Sequence, residues 1–567
     1  MADRGTRFVE RLKHFYKFWL EPEGVRRWRG ARGEDHTLQK FWLGSPVPTP
    51  PMEAAFFRAA GLESVTLTRQ DDSRPCGKVQ DNVRLPLTQV QAGDVVQIGV
   101  AVDRWLPSSS VRVCAGARSV RHVGLAEGQW LDIRLDLTGE ESVLELHTDQ
   151  PLWVSVPRIV RSRVGEPPVS PRHFLVIALD GWCRLLDYDE HPTIPGRRLT
   201  PNIDRAFAEG CHGPLGFSSA EWTLPTTASF FTGLYPSRHR MVHPQLPSQQ
   251  PTNRKLLAEY FQEQGYHTLA LSCGNRLTPA FGSHRGFDRF IYHWAFKGRT
   301  ELDYHPAVWI SEVLGHLDAH REDRTFTYVH FPDTHPPWSI GPMTRSFNLG
   351  RRENSAGHDL KRLEHMTEAA TQGAQLMKLR LHELDRLLGG LFEYIDGHIA
   401  DDTVIVLTAD HGTPWPFDGQ TSEDGLSLNR FRTATSISIR GRSVEHRRHH
   451  GPVSPNLDLM PTLLTLAGIT PPDDLDGRDL LLDQQDRPFV VSESLYGTVY
   501  EIAVCDADRK WVERFPMDEV SNLLTGPAFY RRGFSDGRDG GGTTVTQEDP
   551  EFEGVVRDHI RRVGLEA

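Results

Sequence analysis

The sequence predicts an α/β fold: a mostly parallel central sheet flanked by helices and preceded by a β-sandwich of jelly-roll type. Three observations predict it. Short β-type runs fill residues 62–160, helix-like and strand-like segments alternate from Phe174 onward, and several of the later strand-like runs end in Asp. The chain has 567 residues, more than the roughly 250–300 at which a single core stops growing. Residues 1–50 are therefore read as a helical segment with a Pro-rich linker, 55–165 as a β-sandwich accessory domain, 170–485 as the α/β domain, and 486–567 as a C-terminal subdomain and tail.

In the first segment Phe8, Leu12, Phe15, Tyr16, Trp19 and Leu20 recur at helical spacing, with Arg7, Arg11, Lys13 and Lys17 around them. Such a stripe packs on its own protein or on a second copy in a homo-oligomer; contact with a membrane surface is the alternative. The runs "SVTLT", "DVVQIGVAV", "SVRVCAG", "WLDIRLDL", "SVLELHT" and "LWVSVPRIV" are punctuated by turn formers, as in an antiparallel sandwich. They resemble the galactose-binding-like modules appended to bacterial enzymes. In "HFLVIALDGW" a continuous apolar run marks a buried parallel strand ending in a polar residue. The alternation continues through "TPNIDRAFAEG", "HTLALSCG", "TFTYVHFPDTH", "DTVIVLTADHG" and "PNLDLMPTLLTLAG". After Pro516 the sequence reads as less regular, with a Gly-rich loop near Ser535.

Composition narrows the function. Hydrophobic residues make up 38% and charged residues 25%, the balance of a globular enzyme. A net charge of -11 argues against a general nucleic-acid binder, which needs a surplus of Lys and Arg. Six cysteines without a CxxC suggest neither a zinc knuckle nor a disulfide framework. The N-terminus has no continuous apolar core of a leader peptide, and no run of about 18 apolar residues occurs. A cytoplasmic address is expected.

Ligands of parallel sheets bind beyond the carboxyl ends of the strands. Asp180, Asp333 with His335, and Asp410 with His411 all fall at such ends. Carboxylates and an imidazole beside a hydroxyl suit a divalent cation that also lowers the pKa of that hydroxyl. The hydroxyl is sought in "SSAEWTLPTTASFFTGLYPSRHRM", where Phe230, Phe231 and Leu234 place Thr223, Thr226 and Thr227 at a helix start. Exposed amides and the positive dipole end there favour an anionic ester. A helix-capping role for Thr223 or Thr226 is the plain alternative.

These motifs resemble the sulfatase branch of the alkaline phosphatase superfamily, over roughly Arg172 to Leu482. "TLPTTASFFTGLYP" is similar to the sulfatase signature in register, with Thr223 in the slot of the residue matured to formylglycine, Thr226 in the Ser slot and Thr227 in the Arg slot. "LTPNIDRAFAEG", "HRGFDRF" and "PNLDLMPTLLTLAGI…LDGRDL" resemble further family stretches. Threonine cannot become formylglycine. Related phosphodiesterases and phosphoethanolamine transferases use such a Thr directly.

The resemblance implies that Asp180, Asp410 and His411 bind a metal that also contacts Thr223. It implies further that His335 meets the anionic group of the substrate together with Thr226 and Thr227, and that His449 or His450 fills a late histidine slot. A second ion would use Asp333, His335 and His450, although the residue four after Asp333 is Pro337 rather than the family's histidine. Zn2+ or Mn2+ fits this donor set better than Ca2+. The expected activity is hydrolysis of a small anionic phosphate or phosphonate ester through a covalent phosphothreonine at Thr223. Sulfuric ester hydrolysis, phospho-group transfer and non-catalytic binding are the rivals. For an anionic tail of the substrate, Lys297 and Arg285 are the basic candidates.

Overall fold

The computed structural model describes residues 47, 49–69, 71–161, 170–183, 194–242, 250–273, 276–293, 305–335, 366–413, 428–483, 485–518, 521–534, 545–546 and 548–566. The amphipathic stretch from Phe8 to Leu20, the Gly-rich loop near Ser535 and Lys297 lie outside these residues.

The centre is a parallel array in the order Arg289–His293, His267–Cys273, Thr325–Phe331, His173–Leu179 and Thr403–Ala409. Strand Ala434–Gly441 then runs antiparallel to Thr403–Ala409, and Cys211–Phe217 runs antiparallel to Ala434–Gly441. Successive side chains of a strand point to opposite faces, and both faces of these strands are apolar. Phe174, Val176, Ala178, Phe326, Tyr328, Val404 and Val406 share one cluster with Phe230, Phe231, Phe261, Leu459 and Leu463 of three helices, Thr223–Thr232, Leu257–Glu263 and Pro455–Leu466. Leu175, Ile177, Leu179, Val329, Ile405 and Leu407 share another with Trp309, Val313, Leu384 and Leu388 of helices Pro306–Ala319 and Met366–His398. The three-layer α/β expectation is met.

Register sets the site. Leu179 lies level with Phe331 on one side and Ala409 on the other. Asp180 and Asp410 therefore leave neighbouring strands at the same height.

Among the described residues, ten strands lie between Ser64 and Arg161. Four form a separate antiparallel sheet, Asn82–Pro86, Val143–Thr148, Ser110–Ala115 and Arg118–Val123. The other six join the large sheet, because strand Asp72–Val79 pairs with Arg289–His293 through Ser73 and Phe290. Apolar side chains from both sheets, including Leu85, Val113 and Leu146 with Ile98, Ile133 and Val154, form one cluster.

After Pro516, strands Tyr530–Phe534 and Val545–Thr546 and helix Pro550–Val563 make the chain more regular than its sequence suggests. Val490–Tyr496, Val499–Cys505, Lys510–Pro516, Tyr530–Phe534 and Val545–Thr546 form an antiparallel sheet. Helix Pro550–Val563 packs its Phe552, Val556 and Ile560 into the cluster that holds Tyr500, Ile502 and Trp511. The strand at its edge props the loop before the Thr223 helix. Glu493 N–H donates to Ser219 O at 2.8 Å, and Ser492 Oγ donates to Ser218 O at 2.6 Å. The buried Glu493 carboxylate accepts from Ser237 N and Oγ, from Tyr500 Oη, and from His559 Nε2 at 2.6 Å.

Burial pushes the Glu493 carboxyl up, but these donors, His559 foremost, hold it below the usual range. This carboxylate contributes stability above its unfolded pKa that is lost as pH falls through its lowered folded value. His559→Leu leaves the charge buried without its main partner, an expected loss of about 3–5 kcal/mol in denaturant unfolding at neutral pH. The gap between variant and wild type narrows as the medium is acidified, and a gap constant from neutral to acid pH would contradict this account.

Candidate metal and nucleophile centre

Three strand-end loops and one helix start converge. One ligand atom each from Asp180, Asp410 and His411 lie within 4.8 Å of one another, and all three side chains are buried. Thr223, the first residue of helix Thr223–Thr232, brings its Oγ1 to 3.2 Å from His411 Nε2.

The loops are stitched together by their own polar groups. Gly181 N–H and His411 N–H both donate to Asp410 Oδ1, at 3.0 and 2.7 Å. Thr334 Oγ1 donates to Asp180 O, and Thr413 Oγ1 to Gly181 O, each at 2.7 Å. Asn456 Nδ2 donates to Asp410 O at 2.9 Å while its Oδ1 accepts from Ser219 N–H at 2.8 Å. The "PNLDLMP" motif thus joins the Asp410 loop to the loop before the nucleophile candidate. Gly181 has φ +73, and a Cβ there would collide with Thr413 Oγ1. A Cβ on Gly412 would strike Phe431 O. Glycine after each strand end is a packing requirement.

Uncompensated charge fills the centre. Burial, then the charge of Asp410, pushes the Asp180 carboxyl well above the usual range. Asp180 Oδ1 and Asp410 Oδ2 are buried without a hydrogen-bond partner, and so is His330 Nε2. That nitrogen lies 3.7 Å from Asp180 Oδ2 and 3.5 Å from Asp410 Oδ2. Two like charges in low dielectric with bare lone pairs fit a divalent cation. His411 Nδ1 faces Gly412 O at 2.6 Å. Donating there fixes the tautomer with an open lone pair on Nε2, the usual state of a ligating imidazole.

Of the other expected site residues, His335 borders the centre and the rest are engaged elsewhere. Thr226 Oγ1 donates to Trp222 O and Thr223 O, and Thr227 Oγ1 to Thr223 O and Leu224 O. Both hydroxyls are buried on their own helix, bonding back one turn. The helix's N-cap is Trp222, with no side-chain cap, so neither Thr223 nor Thr226 caps it. Asp333 is buried in an ion pair with Arg380, itself bonded to Glu383. His335 is exposed, its ring centroid 6.2 Å from that of His411.

His450 is exposed and holds Asp486 through its backbone N–H; His449 is buried, with Nε2 at 3.0 Å from Leu480 O. The second-ion set of Asp333, His335 and His450 is thus not gathered, because Asp333 has a guanidinium partner and His450 packs beside the 480–486 segment. Arg285 is buried against Glu259 and two carbonyls rather than offered to an anionic tail.

Two residues were missed. His330 sits inside the run "TYVHF", where an alternation period of two from Tyr328 was its one signal. Glu221, wholly buried two residues before Thr223, accepts from Ser494 Oγ at 2.5 Å, and burial pushes its carboxyl up to about 7.

With this geometry in place, similarity to known proteins can be read. The family model described as Sulfatase matches residues 186–469. The multifunctional alkaline phosphatase superfamily protein PehA of Trinickia caryophylli is 35% identical over 404 residues, covering 55% of this chain and 77% of that protein. Human N-acetylgalactosamine-6-sulfatase is 25% identical over 378 residues, covering 56% of this chain and 66% of its own length. The solved structure of the phosphonate monoester hydrolase SpPMH from Silicibacter pomeroyi shares the fold, with TM-score 0.50 and 18% identity over 69% of this chain and 94% of that one.

Asp180→Asn removes the repulsion and a ligand together. Without metal the variant is expected to unfold about 1–4 kcal/mol later than metal-free wild type, in line with replacement of a buried charge by a neutral group. Added Zn2+ or Mn2+ raises the wild-type melting temperature by more than it raises the variant's. Equal metal stabilisation of both proteins would remove Asp180 from the ligand set.

Proposed function

We propose, on the premise that this chain belongs to the sulfatase family and is a hydrolase of sulfuric or phosphoric esters, that it cleaves phosphate or phosphonate esters of small anionic molecules with Thr223 as nucleophile. The observation that carries the reading is the Thr223 hydroxyl, 3.2 Å from His411 Nε2 at a helix N-terminus beside two buried carboxylates. Threonine attacks phosphorus without maturation to formylglycine. The relative named as multifunctional is consistent with an ester range wider than sulfate.

Asp180, Asp410 and His411 would hold a divalent ion, with His330 beside them and Zn2+ or Mn2+ matching the mixed N and O donors better than Ca2+. When bound, such an ion supplies charge stabilisation to the ester oxygens and lowers the pKa of a nearby hydroxyl. The chain does the rest. Thr223 gives up its hydroxyl proton to solvent, and its Oγ forms a bond to phosphorus as the bond to the leaving alkoxide breaks, giving a phosphothreonine and, on protonation of the alkoxide, the alcohol. The amides of Thr223 and Leu224, which by position have no helical acceptor, face the equatorial oxygens; Pro225 has none to offer. His335, exposed at the rim, donates the proton to the departing alkoxide. Water then attacks phosphorus, releases the phosphate or phosphonate and restores Thr223.

Residues 55–165 act here as a structural accessory module, in keeping with the six strands between Ser64 and Arg161 that extend the catalytic sheet. A sulfuric ester is the second reading, favoured by the likeness to the human sulfatase.

An aryl sulfate, a phosphate monoester, a phosphodiester and a phosphonate ester assayed in parallel decide between them. Wild type is expected to turn over the phosphorus esters fastest, Thr223→Ala to lose about 10³-fold or more in kcat, and Thr223→Ser to retain most of it. Turnover unchanged in Thr223→Ala would reject the nucleophile; a rate greatest on the sulfate would favour the second reading.

A further inference from the structure

A second cluster of ligating side chains lies away from this centre, where the early β strands meet the catalytic layers. One ring nitrogen each from His267, His316 and His320 lie within 4.8 Å of one another, and the three residues are 1%, 3% and 5% exposed. Their rings are centred 4.2–5.0 Å apart. His267 begins strand His267–Cys273, while His316 and His320 stand one turn apart at the end of helix Pro306–Ala319. We propose that these three imidazoles form a structural zinc site that fastens the helix to the sheet.

The unpaired nitrogens argue for it. Both ring nitrogens of His316 and Nδ1 of His267 are buried without a hydrogen-bond partner. A neutral imidazole always carries one N–H, so His316 left as a packing residue strands a donor as well as an acceptor, a cost native interiors avoid. A metal takes up the lone pairs.

The outer partners set the other two rings. His320 Nδ1 lies 3.0 Å from Asp323 Oδ2; donation to that carboxylate leaves the Nε2 lone pair for an ion. His267 Nε2 lies 2.9 Å from the Gln97 side-chain nitrogen, while Gln97 Oε1 is unpartnered. Turning that amide over, an exchange of indistinguishable atoms, lets His267 Nε2–H donate to Gln97 Oε1 and leaves Nδ1 as the ligand. Both arrangements follow the imidazole–acceptor pattern of metal-bound histidines.

The charge around the cluster permits an ion. Arg74, Arg289 and Arg134 face it, but Arg74 is paired with Asp72 and Asp132, Arg289 with Asp72 and Glu312, and Arg134 with Asp323. Burial, ahead of the neighbouring imidazoles, holds His267 and His316 well below the ordinary range, so they are neutral ligands at pH 7. Tetrahedral zinc with Zn–N bonds of about 2.0–2.1 Å spaces its nitrogens about 3.3 Å apart, within the spread of the cluster. A water molecule completes the fourth position. Gln97 and Arg134, whose Nη1 lies 2.8 Å from His320 Nδ1 and whose Nη2 pairs with Asp323, come from the early strands. The ion would thereby tie that segment to the catalytic layers.

The test separates this ion from any at Asp180 and Asp410. Full-length Asp180→Asn/Asp410→Asn protein, folded by circular dichroism, is loaded with Zn2+, desalted and assayed by mass spectrometric metal analysis. One equivalent is expected, with a zinc K-edge spectrum showing imidazole nitrogens, and His316→Leu in the same background should lose it. Should those variants fail to fold, wild type and His316→Gln are titrated with Zn2+, and a difference of one tight equivalent is expected. Background zinc in the folded double variant, or equal uptake with and without His316, would overturn the site.

Discussion

Two carboxylates that repel each other in a dry interior govern this protein. Asp180 and Asp410 leave adjacent parallel strands at the same height, so the sheet register forces them together. Each could have been relieved by distance or by a paired guanidinium, as Asp333 is by Arg380. Instead five hydrogen bonds, four among strand-end loops and one from Asn456 of the Pro455–Leu466 helix, fix the pair in place. Donors reach Asp410 Oδ1 and the backbone carbonyls, while the lone pairs aimed at the centre stay bare. The fold supplies the energy to hold an arrangement that a bound cation would relieve.

Around that pair the other layers act as supports. The Pro455–Leu466 helix and the edge strand Val490–Tyr496 both hold the 218–221 loop, and through it the start of the Thr223 helix. Placement of one hydroxyl thus draws on regions widely separated in sequence. Glu493, with four donors, anchors the C-terminal sheet to the Pro236–His239 turn that follows.

Much of this was legible in the sequence, for physical reasons that also explain what was not. Continuous apolar runs ending in Asp report a buried parallel strand and its polar exit together, so Asp180, Asp410 and His411 could be placed before any coordinates. The helix start at Thr223 followed from the apolar spacing of Phe230, Phe231 and Leu234. Long-range partners leave no local trace. Nothing near "HFPDTH" announces that Arg380 will neutralise Asp333, nor does "TYVHF" distinguish a His facing carboxylates from one facing methyl groups. Thr226 and Thr227 looked like substrate contacts because their hydroxyls are unassigned in sequence, yet helix geometry offers them carbonyls one turn back. The chain after Pro516 appeared irregular because its strands Tyr530–Phe534 and Val545–Thr546 are short, and their sheet partners lie at a distance in sequence.

The bond between Ser73 and Phe290 strands has a bearing on biogenesis. A ribosome delivers the Asp72–Val79 edge long before Arg289–His293 exists, on the order of ten seconds or more at ~5–20 residues per second. Once Leu152–Ser155 has covered Cys76–Val79, the Asp72–Ser73 end of that edge still leaves its backbone groups open, a template for wrong partners. The charges of Asp72 and Arg74 make that border hostile to a stray apolar strand until its own mate is translated.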